Sequence, residues 1–167
     1  MTLTRAESSA MVRWQRVAGH EPWPRVARGM SHFGEHSVGW IALSVSGAVL
    51  DSRRRQVWTS VGVAAFGAHA SAVVIKRILR RRRPSDPRIR ILVPTPSDLS
   101  FPSAHVASTT AAVVALAPLI GRGAAVATAT AMGLARVLLG VHYPTDVVGG
   151  AALGLAAGAA SRRLLQR

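Results

Sequence analysis

His142 and Asp146 stand four residues apart in His142-Tyr143-Pro144-Thr145-Asp146. Pro144 suits the first turn of a helix, and an i,i+4 spacing lets the carboxylate reach the imidazole. An acid gripping one ring nitrogen leaves the other to serve as nucleophile or general base, with the aspartate fixing the tautomer and stabilising the imidazolium. The same spacing is as often a structural cap, so the pair takes its meaning from its company. Phe101-Pro102-Ser103-Ala104-His105 ends a loop holding Pro84, Pro87, Pro94 and Pro96 and opens an apolar run, so the free N–H groups of a helix start there suit a phosphate. His105 has no carboxylate at helical spacing, which makes it the better acid for a leaving oxygen and His142 the better nucleophile. Lys76, Arg83 and Arg136 add cations able to clamp a phosphoryl group during transfer. Arg77, Arg80, Arg81 and Arg82 read mostly as a topology signal or anionic-lipid contact.

The elements that must position these residues are membrane helices. In 167 residues, 49% hydrophobic with mean hydropathy +0.27, there is room for one domain, and it is too apolar for an ordinary soluble one. Five apolar runs are expected to span: Ser37 to Leu50, Val57 to Ile75, Ala104 to Ile120, Gly123 to Val141 and Val147 to Ala160. His32, Glu35 and His36 are placed in the first turn of span one. Met11, Trp14 and Val17/Ala18 recur at helical spacing, an interfacial amphipathic helix closed by Pro22 and Pro24. The expected class is all-α, an integral membrane bundle, with residues 1–30 an interfacial segment and 31–167 the embedded domain. No cleavable signal peptide is read, so Met1 is expected to remain. His69, in mid-span without an acid on its own helix, reads as a buried hydrogen-bonded histidine.

Antiparallel spans gather Lys76, Arg83, Ser103, His105, Arg136, His142 and Asp146 on one face, with His32, Glu35 and His36 beside them. The formal charge is +14; Arg53, Arg54, Arg55, Arg122, Arg162, Arg163 and Arg167 lie on the opposite face, seven of the 21 basic residues. The excess on the polar face places it on the cytoplasmic side of the plasma membrane. In a membrane chain this charge points to lipid phosphate as partner, with no nucleic acid. Gly150, Gly154 and Gly158 form a small-residue stripe for close helix approach, within the bundle or in a homo-oligomer. With no cysteine there is no disulfide, thiolate zinc site or cysteine nucleophile.

Lys76, six residues, Arg83-Pro84; then Pro102-Ser103-Ala104-His105; then Arg136, five residues, His142, three residues, Asp146: this three-part pattern resembles the signature of the type-2 phosphatidic acid phosphatase superfamily over residues 76 to 146. The resemblance implies a metal-independent lipid phosphatase without cofactor, a phosphohistidine on His142 oriented by Asp146, His105 as acid, and Lys76, Arg83, Ser103 and Arg136 holding phosphate. Two positions depart from the usual pattern: Ala104 replaces a glycine and Ala135 a serine. Ala104 costs little if its φ is negative, whereas Ala135 removes a hydroxyl near the phosphate. Ser31 to Ser37, Thr95-Pro96-Ser97 and Ser100 to His105 further resemble small actinobacterial members of the family. They imply removal of the 5-phosphate from a polyprenyl-linked phosphoribose in cell-wall arabinan synthesis. His32, Glu35 and His36 are then candidates for the sugar hydroxyls. Polyprenyl diphosphate, phosphatidic acid and phosphatidylglycerol phosphate are the alternative substrates. Two readings compete: His32-Phe33-Gly34-Glu35-His36 matches H-x-x-E-H, a zinc motif needing both histidines on one helical face, and the basic charge fits a non-catalytic lipid-binding bundle.

Overall fold

The structure, a computed structural model, describes residues 3–166, so Met1 and Arg167 lie outside the described residues. Six helices follow one another: α1 (Leu3–Ala18), α2 (Trp23–Gly34), α3 (Val38–Leu50), α4 (Arg55–Leu79), α5 (Ala104–Leu138) and α6 (Pro144–Leu165), with no β-sheet among the described residues. Two stretches are long and apolar enough to cross a membrane, 52–79 and Ala104–Leu138.

The second of these is folded on itself. His105 near its start and Arg136 near its end both contact Ser31, at 3.0 Å from the carbonyl and through the hydroxyl. An unbroken helix would hold those two residues about 46 Å apart. The reversal occurs at Gly121, whose φ of 81° and ψ of 156° leave helical space three residues after Pro118. Glycine alone takes that conformation without strain. The element is therefore a helical hairpin, α5a (104–120) and α5b (122–138), matching the expected third and fourth apolar runs.

Helices α4, α5a and α5b share an alanine-rich core of Ala64, Ala65, Ala68, Ala72, Ala107, Ala111, Ala112, Ala115 and Ala125, with Trp40 of α3 against it. Small side chains let helix backbones approach closely. The glycine stripe of α6 is used in this way inside the chain. A Cβ on Gly150, Gly154 or Gly158 would stand 2.6, 2.5 or 2.8 Å from the carbonyl oxygens of Ser103, Ala107 and Ala111. Of the two uses expected of these glycines, the structure shows the one within the bundle, where α5a occupies the stripe that a homo-oligomer would need.

The N-terminal region departs from expectation in a second way. Pro22 and Pro24, expected to close the first helix, instead stand at the start of a second: Pro24 sits in the first turn of α2, where its missing N–H costs nothing. His32 belongs to the last turn of α2. His36 and Ser37 then take left-handed φ values of 48° and 62°, so His32, Glu35 and His36 precede α3 rather than forming its first turn. This break also takes His36 off the helical face of His32 that the zinc motif requires. Helix α1 buries Glu7, Ser8, Met11, Gln15 and Ala18 against the rest of the chain. The Gln15 side chain donates to the carbonyls of Arg90 and Leu138 and accepts from the Arg90 N–H, at 2.7, 2.8 and 2.9 Å, tying α1 to the long loop and to α5b.

Candidate active site

Arg136 and His142 reach one cavity because of the turn between them. Gly140, at φ 78°, closes α5b, and a Cβ there would sit 2.3 Å from the Arg90 carbonyl oxygen, so the close approach requires glycine. The Leu139, Gly140 and Val141 amides bond back to Ala135, Val137 and Arg136, and His142 follows, almost fully buried.

The environment of His142 defines its ring. The Arg83 guanidinium, which can only donate, lies 3.3 Å from Nε2, so Nε2 carries the lone pair and Nδ1 the proton. Nδ1 faces Asp146 Oδ2 at 3.7 Å and has no hydrogen-bond partner among the described residues. Burial, followed by the charges of Arg136 and Arg83, holds the His142 pKa well below the ordinary imidazole range, and so keeps the ring neutral. Asp146 caps its helix, its Oδ2 accepting the Tyr143 N–H at 2.7 Å, while the same oxygen faces the imidazole. The cap and the place facing the imidazole, alternatives in the sequence, are held by the same carboxylate.

Cations surround the Nε2 side. Arg83 is fixed by the Ser97 and Val141 carbonyls at 2.8 and 2.7 Å. Lys76 is buried and donates to the Leu99 and Ser100 carbonyls at 3.1 and 2.9 Å, which anchors the loop leading to Ser103. Arg136 is 3% exposed; one terminal nitrogen donates to Ser31 Oγ, and its Nε has no partner among the described residues. A buried guanidinium with an unspent donor is suited to an anion. Because a carbonyl only accepts, His105 donates through Nε2 to the Ser31 carbonyl at 3.0 Å.

A cavity of about 360 Å³ is lined by Lys76, Arg83, His105, Arg136 and His142 together with Glu35, His36 and His69. The rings of His36 and His69 lie 5.8 Å apart. Ser103 and Asp146 do not line it: Ser103 is wholly buried, its N–H donating to the Asp146 carbonyl at 3.0 Å and its Oγ without a partner among the described residues. His32 is also outside, its side chain 84% exposed and 3.7 Å from Glu35. Ala104 lines the cavity and has no positive φ, so a methyl is accommodated there. Ala135 instead joins an apolar cluster with Ala18, Ala27 and Leu138, and the hydroxyl beside Arg136 comes from Ser31.

Sequence reasoning missed Ser31, Glu7 and Arg81. Arg81 donates to Asp146 Oδ1 at 2.8 Å and to Glu7 Oε2 at 2.7 Å. Nothing in a run of arginines singles it out. Glu7 carried a signal, as an acid on the Met11/Ala18 stripe of an amphipathic helix. His69 was read as a buried structural histidine; it lines the cavity instead, and its Nδ1 lacks a partner among the described residues.

The model of the PAP2 superfamily matches residues 56–167. A Mycolicibacterium smegmatis protein named decaprenylphosphoryl-5-phosphoribose phosphatase is 52% identical over 147 residues, 87% of this chain and 82% of that protein. A Mycobacterium tuberculosis protein of the same name is 49% identical over 156 residues, 93% of this chain and 88% of that one. The crystal structure of the first transmembrane PAP2-type phosphatidylglycerolphosphate phosphatase from Bacillus subtilis superposes with TM-score 0.75 at 25% identity, over 95% of this chain and 86% of that one. Aquifex aeolicus LpxE shares the fold, with TM-score 0.69 at 20% identity over 90% and 92% of the two chains.

Proposed function

The chain belongs to the PAP2 superfamily, and from that premise we propose that it removes the 5-phosphate of decaprenylphosphoryl-5-phosphoribose through a phosphohistidine on His142. That it is a phosphatase, a hydrolase of phosphate monoesters in an all-helical membrane fold, follows from the family. The observation that carries the mechanism is the His142 ring, with the Nε2 lone pair toward Arg83 and the cavity and Nδ1–H toward Asp146.

In this reading Nε2 attacks phosphorus and the bond from phosphorus to the ribose 5-oxygen breaks. The leaving oxygen keeps the electron pair and takes a proton from the His105 imidazolium, which exchanges the Ser31 carbonyl for that oxygen and is left a neutral ring. Lys76, Arg83 and Arg136 hold the charge that spreads over the phosphoryl oxygens, while Ser103, outside the cavity, precedes the helix that carries His105. Water, losing a proton to His105, then attacks the phosphohistidine; the P–N bond breaks, and phosphate and decaprenylphosphoryl ribose leave. Asp146 stabilises the imidazolium in between. Glu35 and His36 meet the sugar hydroxyls, joined by His69, while His32 stands at the surface.

We place α3, α4, α5a, α5b and α6 across the plasma membrane as five spans, with residues 1–30 at its surface and 31–167 embedded, although α2 runs unbroken across that division. The basic excess beside the cavity favours its opening on the cytoplasmic face, in the supply of cell-wall arabinan precursors. Polyprenyl-linked phosphosugar and membrane lipids are the partners.

The test is phosphate release by the purified protein in EDTA, with decaprenylphosphoryl-5-phosphoribose, polyprenyl diphosphate, phosphatidic acid and phosphatidylglycerol phosphate compared by kcat/KM. Chelator-resistant release with preference for the phosphoribose lipid is expected. Preference for another lipid overturns the substrate, loss of activity in EDTA overturns metal-independent catalysis, and release from none favours the lipid-binding reading.

A further inference from the structure

Asp146 is 0% exposed and is gripped by a cation that the three-part signature does not contain. Arg81 divides its guanidinium between two carboxylates, Asp146 Oδ1 at 2.8 Å and Glu7 Oε2 at 2.7 Å, and stacks over the Tyr143 ring at 4.4 Å. The other Glu7 oxygen, Oε1, accepts the Thr145 N–H at 2.9 Å and the Thr145 hydroxyl at 2.6 Å. Arg81 also donates to that hydroxyl. Glu7 thus reaches from α1 into the first turn of α6, one residue before Asp146, over a sequence separation of 138.

The charges explain why an acid is needed there. Arg81 paired with Asp146 alone would be a neutral couple, with little to offer an imidazolium at His142. A second carboxylate restores one net negative charge to the group. Glu7 is suited to stay ionised: burial opposes its charge, but the Thr145 and Arg81 contacts overcome that and its pKa lies below the ordinary glutamate range. None of the other groups facing His142, which are Arg83, Arg136, Lys76 and His105, carries a negative charge.

We propose that Glu7 and Arg81 are positioning residues: Glu7, acting through Arg81 and Thr145, holds the Asp146 carboxylate toward His142 and sets the charge that it presents. The N-terminal helix is then part of the catalytic apparatus, although it lies outside the matched residues 56–167. The inference rests on the phosphohistidine reading, in which Asp146 supports a charge that forms on His142.

The experiment is steady-state kinetics of the full chain, with Glu7→Gln, Arg81→Gln, Arg81→Lys and the Glu7→Gln/Arg81→Gln double variant, and His142→Ala alongside. Each glutamine variant should lower kcat by roughly tenfold to a hundredfold, the range of couplings within one buried network, with KM little changed. Arg81→Lys should recover part of the loss, and the double variant should be no worse than the poorer single one. A rise in KM at constant kcat, or losses that multiply and follow the melting temperature, would reduce the pair to scaffolding and overturn the inference. Should the Arg81 variants fail to fold, Glu7→Gln and Thr145→Val decide it by the same split between kcat and KM. If His142→Ala retains activity, the phosphohistidine reading itself fails; if His142 is essential and Glu7→Gln turns over normally, this inference alone falls.

Discussion

Replacing Asp146 by Asn keeps the size of the side chain and removes its charge, which isolates what the carboxylate does for His142. The separation from Nδ1 to Oδ2 is 3.7 Å. At the effective dielectric of about 20 suited to protein sites, a full imidazolium and a carboxylate at that distance attract by about 4.5 kcal/mol. At roughly 1.4 kcal/mol per decade, forming the charged histidine should slow by about three orders of magnitude. The substitution has a second effect: an amide cannot accept both the Tyr143 N–H and the Arg81 guanidinium, so one donor meets an NH2 group. The assay is the rate of phosphoenzyme formation in a single turnover, with thermal unfolding in the same detergent to show that the bundle survives. A folded Asp146→Asn protein within tenfold of wild type would refute the reasoning, because the carboxylate would then be only a cap.

Gly154→Val places branched carbons where even a Cβ would meet the Ala107 carbonyl oxygen at 2.5 Å, and should destabilise the bundle by about 1–3 kcal/mol; a lowered melting temperature checks it, and an unchanged one would reject the α5a–α6 contact. Ser31→Ala removes the hydroxyl that Arg136 donates to and leaves the carbonyl that holds His105, so kcat/KM should fall about tenfold, the worth of a hydrogen bond to a charged group. The pH dependence follows from burial and the Arg136 and Arg83 charges, which disfavour protonated His142. A group with a lowered pKa stays neutral until the pH falls below the shifted value, so kcat/KM should show no loss attributable to His142 as the pH falls through the ordinary imidazole range, and a loss centred in that range would contradict the assignment.

The apolar runs were legible because a membrane allows few solutions, and the reversal at Gly121 fell where the sequence broke between Ile120 and Gly123. The spacings of Lys76 to Arg83 and of Arg136 to Asp146 were legible because each lies near one element end, where local geometry decides which way a side chain points. Contacts that depend on tertiary placement were not. Arg81 is one arginine among several in sequence, and only the position of α1 shows that it joins Glu7 to Asp146. His36 left its helical register through a left-handed backbone that no glycine announces. The stripe of Gly150, Gly154 and Gly158 read first as an internal contact and second as an intermolecular one; the location of α5a shows the internal contact.

The central claim is a covalent phosphate on His142, and trapping it is the most direct measurement. The protein, mixed with decaprenylphosphoryl-5-phosphoribose carrying a labelled 5-phosphate in EDTA and quenched in alkali, should retain an alkali-stable, acid-labile label that maps to His142 and is absent from His142→Ala. Label on another residue, or an active His142→Ala protein, would contradict the account.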